Sequence, residues 1–165
     1  MKQIIQSFSD GIIKVVDVPI PALKADHILI QSHTSLISSG TERMLIDFGK
    51  ANPIQKAYKQ QDKLKEVLQK VKTDGINSTY EAVKTKLDTP IPMGYCNVGK
   101  IIEIGKGVNN FKVGDRVISN GNHAEFVLAP KNLVAKVPEQ VPNDEAVFTV
   151  ISVSYTHLRA HETPA

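Results

Sequence analysis

The fold turns on Gly94-Tyr95-Cys96-Asn97-Val98-Gly99-Lys100-Ile101-Ile102-Glu103-Ile104-Gly105, followed by Val108 and by Phe111-Lys112-Val113-Gly114-Asp115-Arg116-Val117. Apolar and β-branched residues crowd positions 98–104, and glycines stand at either end. A second short run, 116–119, begins directly after Gly114-Asp115. Runs of this length bounded by glycine read as strand, turn, strand. Gly105-Lys106-Gly107 invites a reading as a phosphate-binding loop. A phosphate cradle needs a helix N-terminus directly after its glycines. Val108-Asn109-Asn110-Phe111 leads instead to a turn, and no Gly-x-Gly-x-x-Gly occurs in the chain.

Outward from this stretch the pattern repeats. Residues 124–128 and 133–137 have strand character, and 139–150 reads as a helix with Pro142 near its first turn. Upstream, 11–18 is a β-branched run set between the turn Ser9-Asp10-Gly11 and the prolines Pro19 and Pro21. Ile28, Ile30 and Ser32 alternate with Leu29, Gln31 and His33, the period of a half-buried strand, and the run continues into Leu36 and Ile37. Ser38-Ser39-Gly40-Thr41 breaks it, and 42–48 takes helical spacing with Met44, Leu45 and Phe48 on one side. Residues 52–88 differ in kind. Leu64, Val67, Leu68 and Val71 fall on one helical stripe, Asp74-Gly75 stops it, and Ser78 with Glu81 has the spacing of a capping box before Tyr80, Val83 and Leu87. The pattern predicts one mostly β, barrel-like domain over 1–150, with a helical hairpin inserted at 52–88.

Composition narrows the function classes. The 165 residues are 41% hydrophobic and 22% charged, an ordinary soluble balance. The net charge of +3 is too small to argue for nucleic acid or a membrane surface. Nine lysines against six acids between Asp47 and Asp88 account for all of it, and a solvated helical face explains that surplus more simply than a partner does. The single cysteine, Cys96, excludes an internal disulfide and a cysteine-rich zinc site. The opening residues lack the apolar run of a signal peptide, no stretch approaches a membrane span, and the sequon Asn77-Ser78-Thr79 is idle without secretion. A cytoplasmic protein is expected.

Together the motifs resemble the N-terminal, GroES-like domain of the medium-chain dehydrogenase/reductase superfamily. That family writes Gly-His-Glu, then a Gly-x-Val strand, then a Gly-Asp-Arg-Val turn. Ala124-Glu125-Phe126-Val127, Lys136-Val137-Pro138 and Glu145-Ala146 follow in the family's order. Ser39-Gly40-Thr41-Glu42 sits where the family has Cys-Gly-(Ser/Thr)-Asp. The resemblance implies a GroES-like, partly open β-barrel whose Rossmann domain is missing from this chain. The segment ending Lys86-Leu87-Asp88-Thr89-Pro90-Ile91-Pro92-Met93-Gly94-Tyr95 is similar to bacterial two-part oxidoreductases fused to a Gfo/Idh/MocA-like half.

The departures from the family carry the chemistry. A catalytic zinc needs three thiolate, imidazole or carboxylate ligands. By the resemblance, the ligand cysteine falls on Ser39, the ligand histidine on Tyr95 and the neighbouring glutamate on Cys96, while the four-cysteine structural lobe is absent. Cys96 would restore one ligand and not three, so no zinc is expected. Hydrogen bonds must then polarise the substrate oxygen. Thr41 holds the family's hydroxyl position and Tyr95 offers a phenol; these are the candidate catalytic groups. Ser39, Gly40, Glu42, Gly94 and Cys96 would line the substrate cleft. Against these stand plainer readings: Thr41 as a helix cap, Tyr95 as packing, Cys96 as an inert buried residue. His123, at a strand entry beside Gly121-Asn122, could point at the cleft, but a solvent-facing turn residue is the preferred reading.

The resemblance implies NAD or NADP in an intact parent, and a small-molecule substrate that is a carbonyl, alcohol or activated alkene. It leaves room for a homo-oligomer, and the fragment alone is expected to be inactive. The alternative is a non-catalytic GroES-like module whose hairpin binds another protein. Finally, Val153 to Thr163 resembles a translated transposase-type sequencing adapter, so 152–165 is set aside from fold and site reasoning. The competing reading of that tail makes His157 and His161 a metal pair.

Overall fold

A computed structural model describes residues 1–7, 10–50 and 88–152, and between the last two Thr73, Gly75, Ser78, Glu81 and Thr85. Most of the expected 52–88 hairpin and nearly all of the 152–165 tail therefore lie outside the described residues. Gly75 has φ +86° where the sequence places a helix stop. Ser78 is helical, and its hydroxyl donates to the Gly75 carbonyl at 3.3 Å.

The elements in chain order are β1 (Lys2–Gln6), β2 (Ile13–Asp17), β3 (His27–Ser35), α1 (Thr41–Lys50), β4 (Ile91–Pro92), β5 (Asn97–Ile104), β6 (Arg116–Ser119), β7 (Phe126–Pro130), β8 (Val134–Lys136) and α2 (Asn143–Ala146). They form two open sheets, three-stranded in the order β2-β1-β4 and five-stranded in the order β7-β3-β5-β6-β8. Every pairing of the larger sheet is antiparallel. The fold is mostly β with a few short helices, and neither sheet closes on itself. No described helix is long and apolar enough to cross a membrane.

Two compact units partition the chain. The first comprises Met1–Ile4, Val15–Ser38 and the residues from Pro92 onward; the second comprises Ile5–Lys14 and Ser39–Ile91.

In the first unit, β5 is central and both of its faces are covered. Ile101 packs with Ile28, Ile30, Val108, Val117, Val127 and Ala129. Cys96 and Val98 pack with Ile118, Val137, Ala146 and Val147. The two-residue period of a strand makes this split, since successive side chains point to opposite faces. Each fully buried isoleucine contributes about 1.5–3 kcal/mol.

The β3–β5 ladder slips between Ser32 and Thr34: Ser32 pairs with Gly99, Thr34 with Val98 and Ser35 with Asn97. His33 is the extra residue of a bulge. Gly99 and Asn97 share one face of β5, so the bulge puts Ser32 and Ser35, three apart in sequence, on a common face.

Arg116 ties down the segment that follows β8. Its guanidinium donates to the carbonyls of Pro138 (2.6 Å) and Glu139 (3.2 Å) and to Asn143 Oδ1 (3.1 Å). The helix expected from position 139 begins only at Asn143, with Pro142 extended at its N-cap (φ −63°, ψ 156°). A proline bars the residue before it from helical geometry, so the segment ahead of Pro142 stays out of the helix.

In the second unit, α1 turns Glu42, Leu45, Ile46 and Gly49 inward. Met44, expected beside Leu45 and Phe48, is 62% exposed instead. The inner face is set by what crosses it. Gly49 lies against the Gln6 side chain and Gly11 Cα, and the Gln6 amide donates to the Leu45 carbonyl at 3.2 Å. A larger side chain at position 49 would have to displace Gln6.

Candidate polar site around Gly94 and His123

Three backbone hydrogen bonds form a ring in the first unit. Met93 N–H donates to Ile4 O (2.9 Å), Ile4 N–H to His123 O (2.9 Å), and His123 N–H to Met93 O (2.8 Å). Gly94 follows directly with φ +92°, in the region that favours glycine. The imidazole of His123 lies on Gly94, where a Cβ would fall 2.7 Å from its Cγ and Cδ2.

His123 is 6% exposed, and its Nδ1 stands 2.9 Å from Ser35 Oγ. The expectation of a solvent-facing turn residue is therefore corrected. Its backbone is joined to both Ile4 and Met93, and this turns the side chain inward before β7 begins. Periodicity gives no warning, because the position lies outside every strand. Ser35, by contrast, is solvent-exposed, so the imidazole links the interior to the surface.

Tyr95 is half-buried and packs against the cluster of Cys96, Val98, Ala146 and Val147. Cys96 is fully buried, and its carbonyl accepts the Leu36 N–H at 3.1 Å. Asn97, also missed from sequence, is fully buried at the start of β5 and donates from Nδ2 to Ser32 Oγ at 2.7 Å. Its Oδ1 accepts no hydrogen bond among the described residues.

The other expected site residues belong to the second unit. Ser39, Gly40 and Thr41 are exposed and Glu42 is buried. Gly40 O accepts the Met44 N–H at 3.0 Å, so the cap position falls to Gly40 and Thr41 is the first residue inside α1. Gly94, Tyr95 and Cys96 thus share a unit with His123, while Ser39, Gly40, Thr41 and Glu42 share another.

The resemblance sets Ser39, Tyr95 and Cys96 at zinc-ligand positions, and these side chains do not make a three-ligand set. A serine hydroxyl and a neutral phenol are poor ligands, and the one thiol is sealed in an apolar cluster. Among the described residues no three His, Cys, Asp or Glu side chains come together.

The glycine turn at 105–107 joins strands. Gly105 N–H donates to His27 O (2.9 Å) and Val108 N–H to Gly105 O (3.3 Å). Lys131 Nζ donates to Gly107 O and to Asp26 Oδ1, each at 2.8 Å. That ammonium holds the Asp26 carboxyl below its usual range. Among the described residues, this unit holds two cavities lined as follows. One, of about 370 Å³, is lined in part by Gln3, Asn120, Asn122, Phe126 and Leu128. The other, of about 320 Å³, is lined by Asn109, Asn110, Phe111, Lys131 and their neighbours.

Comparison with known proteins finds likeness to part of the chain and to its fold. Residues 63–139 match the model of the alcohol dehydrogenase GroES-like domain. A chloroplast envelope quinone oxidoreductase homolog of Arabidopsis thaliana is 37% identical over 73 residues, which is 41% of this chain and 22% of that protein. The solved quinone oxidoreductase of Coxiella burnetii superposes with a TM-score of 0.58 at 25% identity, over 97% of this chain and 44% of its own. A mycobacterial protein solved with NADPH gives 0.63 at 21% identity, over 100% and 41%. The chain spans less than half the length of each of these proteins.

Proposed function

We propose that the chain, whose residues 63–139 match the alcohol dehydrogenase GroES-like domain, is the substrate-side part of a longer NAD(P)-dependent oxidoreductase of the medium-chain dehydrogenase/quinone oxidoreductase kind that works without zinc. The proposed reaction interconverts a carbonyl and an alcohol or reduces an activated alkene. Relatives named as quinone oxidoreductases and trans-enoyl reductases support this class. The reading rests on the resemblance, by which hydroxyl-bearing Ser39 and Tyr95 fall where the family has metal ligands.

The nicotinamide, when bound, supplies or takes the hydride. The turn at 105–107 has no helix N-terminus to receive a pyrophosphate. The main dinucleotide site is therefore assigned to the rest of the parent, a Rossmann domain with a Gfo/Idh/MocA-like half beyond it, and this chain alone has no turnover. What the chain's own residues offer is hydrogen bonding. Thr41 and Tyr95, which lie in different units, are each a candidate O–H donor to a substrate oxygen as negative charge collects on it. One donor of this kind accounts for about 10²–10³ in rate. Of the residues that the resemblance sets around that oxygen, Cys96 and Glu42 are buried, which leaves Gly94 in the unit of Tyr95, and Ser39 and Gly40 in the unit of Thr41.

The test is metal analysis of the full-length protein together with turnover of Thr41→Ala and Tyr95→Phe. Metal-free enzyme, indifferent to chelators and slowed by one or both substitutions, supports the proposal. Stoichiometric zinc whose removal abolishes turnover defeats it.

A further inference from the structure

We infer that His123 is a positioning residue: by clamping Gly94 it sets the direction in which Tyr95 leaves the chain. This rests on the reading of Tyr95 as a hydrogen-bond donor to the substrate.

Glycine at positive φ has a broad, shallow range of backbone angles, so Gly94 does not fix its own geometry. Something outside it must. The His123 backbone holds the Met93 carbonyl at 2.8 Å on the near side of Gly94, and the imidazole covers the place where a Cβ would stand. The ring itself is held by Nδ1 against Ser35 Oγ at 2.9 Å. Ser35 takes its place through the His33 bulge, which returns it to the face it shares with Asn97. On the far side of Tyr95, Cys96 is immobilised by complete burial and by the bond from Leu36 to its carbonyl. Tyr95 is thus one residue between two clamped neighbours.

The choice of side chain argues the same way. A leucine or phenylalanine would fill the space at position 123 without desolvating a polar ring. Imidazole adds a directed hydrogen bond to the packing, and that bond fixes the angle at which the ring meets Gly94. A catalytic donor is worth most when held within a fraction of an ångström, and a misplacement of about 1 Å can cost about 10² in rate.

The experiment uses the full-length reductase, with naphthoquinone as the probe acceptor and NADPH consumption as the readout. His123→Asn keeps a hydrogen-bonding atom near the place of Nδ1, His123→Phe keeps the ring, and His123→Ala keeps neither. The alanine variant should lower kcat on the order of tenfold with KM changed by less than about twofold, and each conservative variant should recover part of the loss. In a Tyr95→Phe background His123→Ala should cost nothing more, because both changes remove one function. An equal loss in both backgrounds overturns the inference, since His123 would then act without Tyr95. So does unchanged kcat in His123→Ala where Tyr95→Phe is slow. If Tyr95→Phe itself leaves kcat intact, the donor reading of Tyr95 fails separately. The clamp is then read in this chain from its tyrosine-labelled NMR spectrum. There the Tyr95 resonance, assigned with Tyr95→Phe, should move in His123→Ala and return in the two conservative variants. A resonance that stays in place rejects the clamp.

Discussion

Gly99 on β5 passes so close to Gln31 on β3 that a Cβ at position 99 would overlap the Gln31 carbonyl oxygen and stand 2.8 Å from Ile30 Cγ2. The obstacle is backbone in the middle of the five-stranded sheet, so it has no rotamer into which to retreat. Gly99→Ala is expected to destabilise the domain by about 1–3 kcal/mol or more, the range of overpacked cores. Urea unfolding measures it, and a midpoint equal to wild type would contradict the contact.

Asp115 accepts the Lys112 N–H at 3.0 Å and meets Lys136 Nζ at 2.9 Å. The Lys136 ammonium, with help from the Lys112 N–H, holds its carboxyl below the usual value. The folded state therefore keeps the proton off to lower pH than the unfolded chain does. The resulting stability is complete above pH of about 4 and fades as pH falls through the lowered value. Asp115→Asn should show a smaller drop in unfolding midpoint between pH of about 6 and about 3 than wild type. An identical drop would refute the assignment.

Cys96 is fully enclosed by Val98, Ile118, Ala146 and Val147. A thiol in that setting is inert until the chain opens. An aromatic disulfide reagent should label native protein slowly and denatured protein at once. Rapid stoichiometric labelling under native conditions would count against the buried position.

Gly49 and Gln6 form a tight pair in the second unit, where a methyl on Gly49 would collide with the Gln6 amide. Gly49→Ala is expected to lower stability despite alanine's higher helix propensity. Gln6→Ala in the same chain should restore part of the loss, because the collision is removed. Thermal melts of the two single variants and the double variant decide it, and strict additivity would show that the two residues do not meet.

Phe148 is 52% exposed and Ile37 is 70% exposed, both in the first unit. Such side chains bind apolar dyes and promote association. Phe148→Ser should reduce both dye binding and aggregation on warming, read by fluorescence and light scattering. An unchanged aggregation temperature would place the cause elsewhere.

The strands were legible where alternation and turn residues agreed. The 116–119 run coincides with β6, and the 98–104 run falls one residue short of the start of β5. β4 escaped notice because two residues, one of them proline, have no strand signal of their own. The bulge at His33 was hidden for a different reason. Alternation from Ile28 to Ser32 continues smoothly in the sequence, and only the partner strand reveals the slip.

The site was less legible. Gly94, Tyr95 and Cys96 stood out by motif, whereas His123 and Asn97 owe their places to contacts made across strands. Burial of His123 follows from Ile4 and Met93, neither near it in sequence. Thr41 and Tyr95 were paired by the motif alone, and the chain distributes them between two units.

The ring of backbone bonds through Ile4, Met93 and His123 also bears on how the chain assembles. None of its three members is a sequence neighbour of another, so no local search completes it. Refolding should be paced by this long-range closure, in the manner of other high contact-order topologies. The same arithmetic makes the scaffold tolerant of length. Lengthening a flexible loop between positions 4 and 93 raises the entropic cost of closure only logarithmically, so the junction can survive long insertions placed outside β2, β3 and α1.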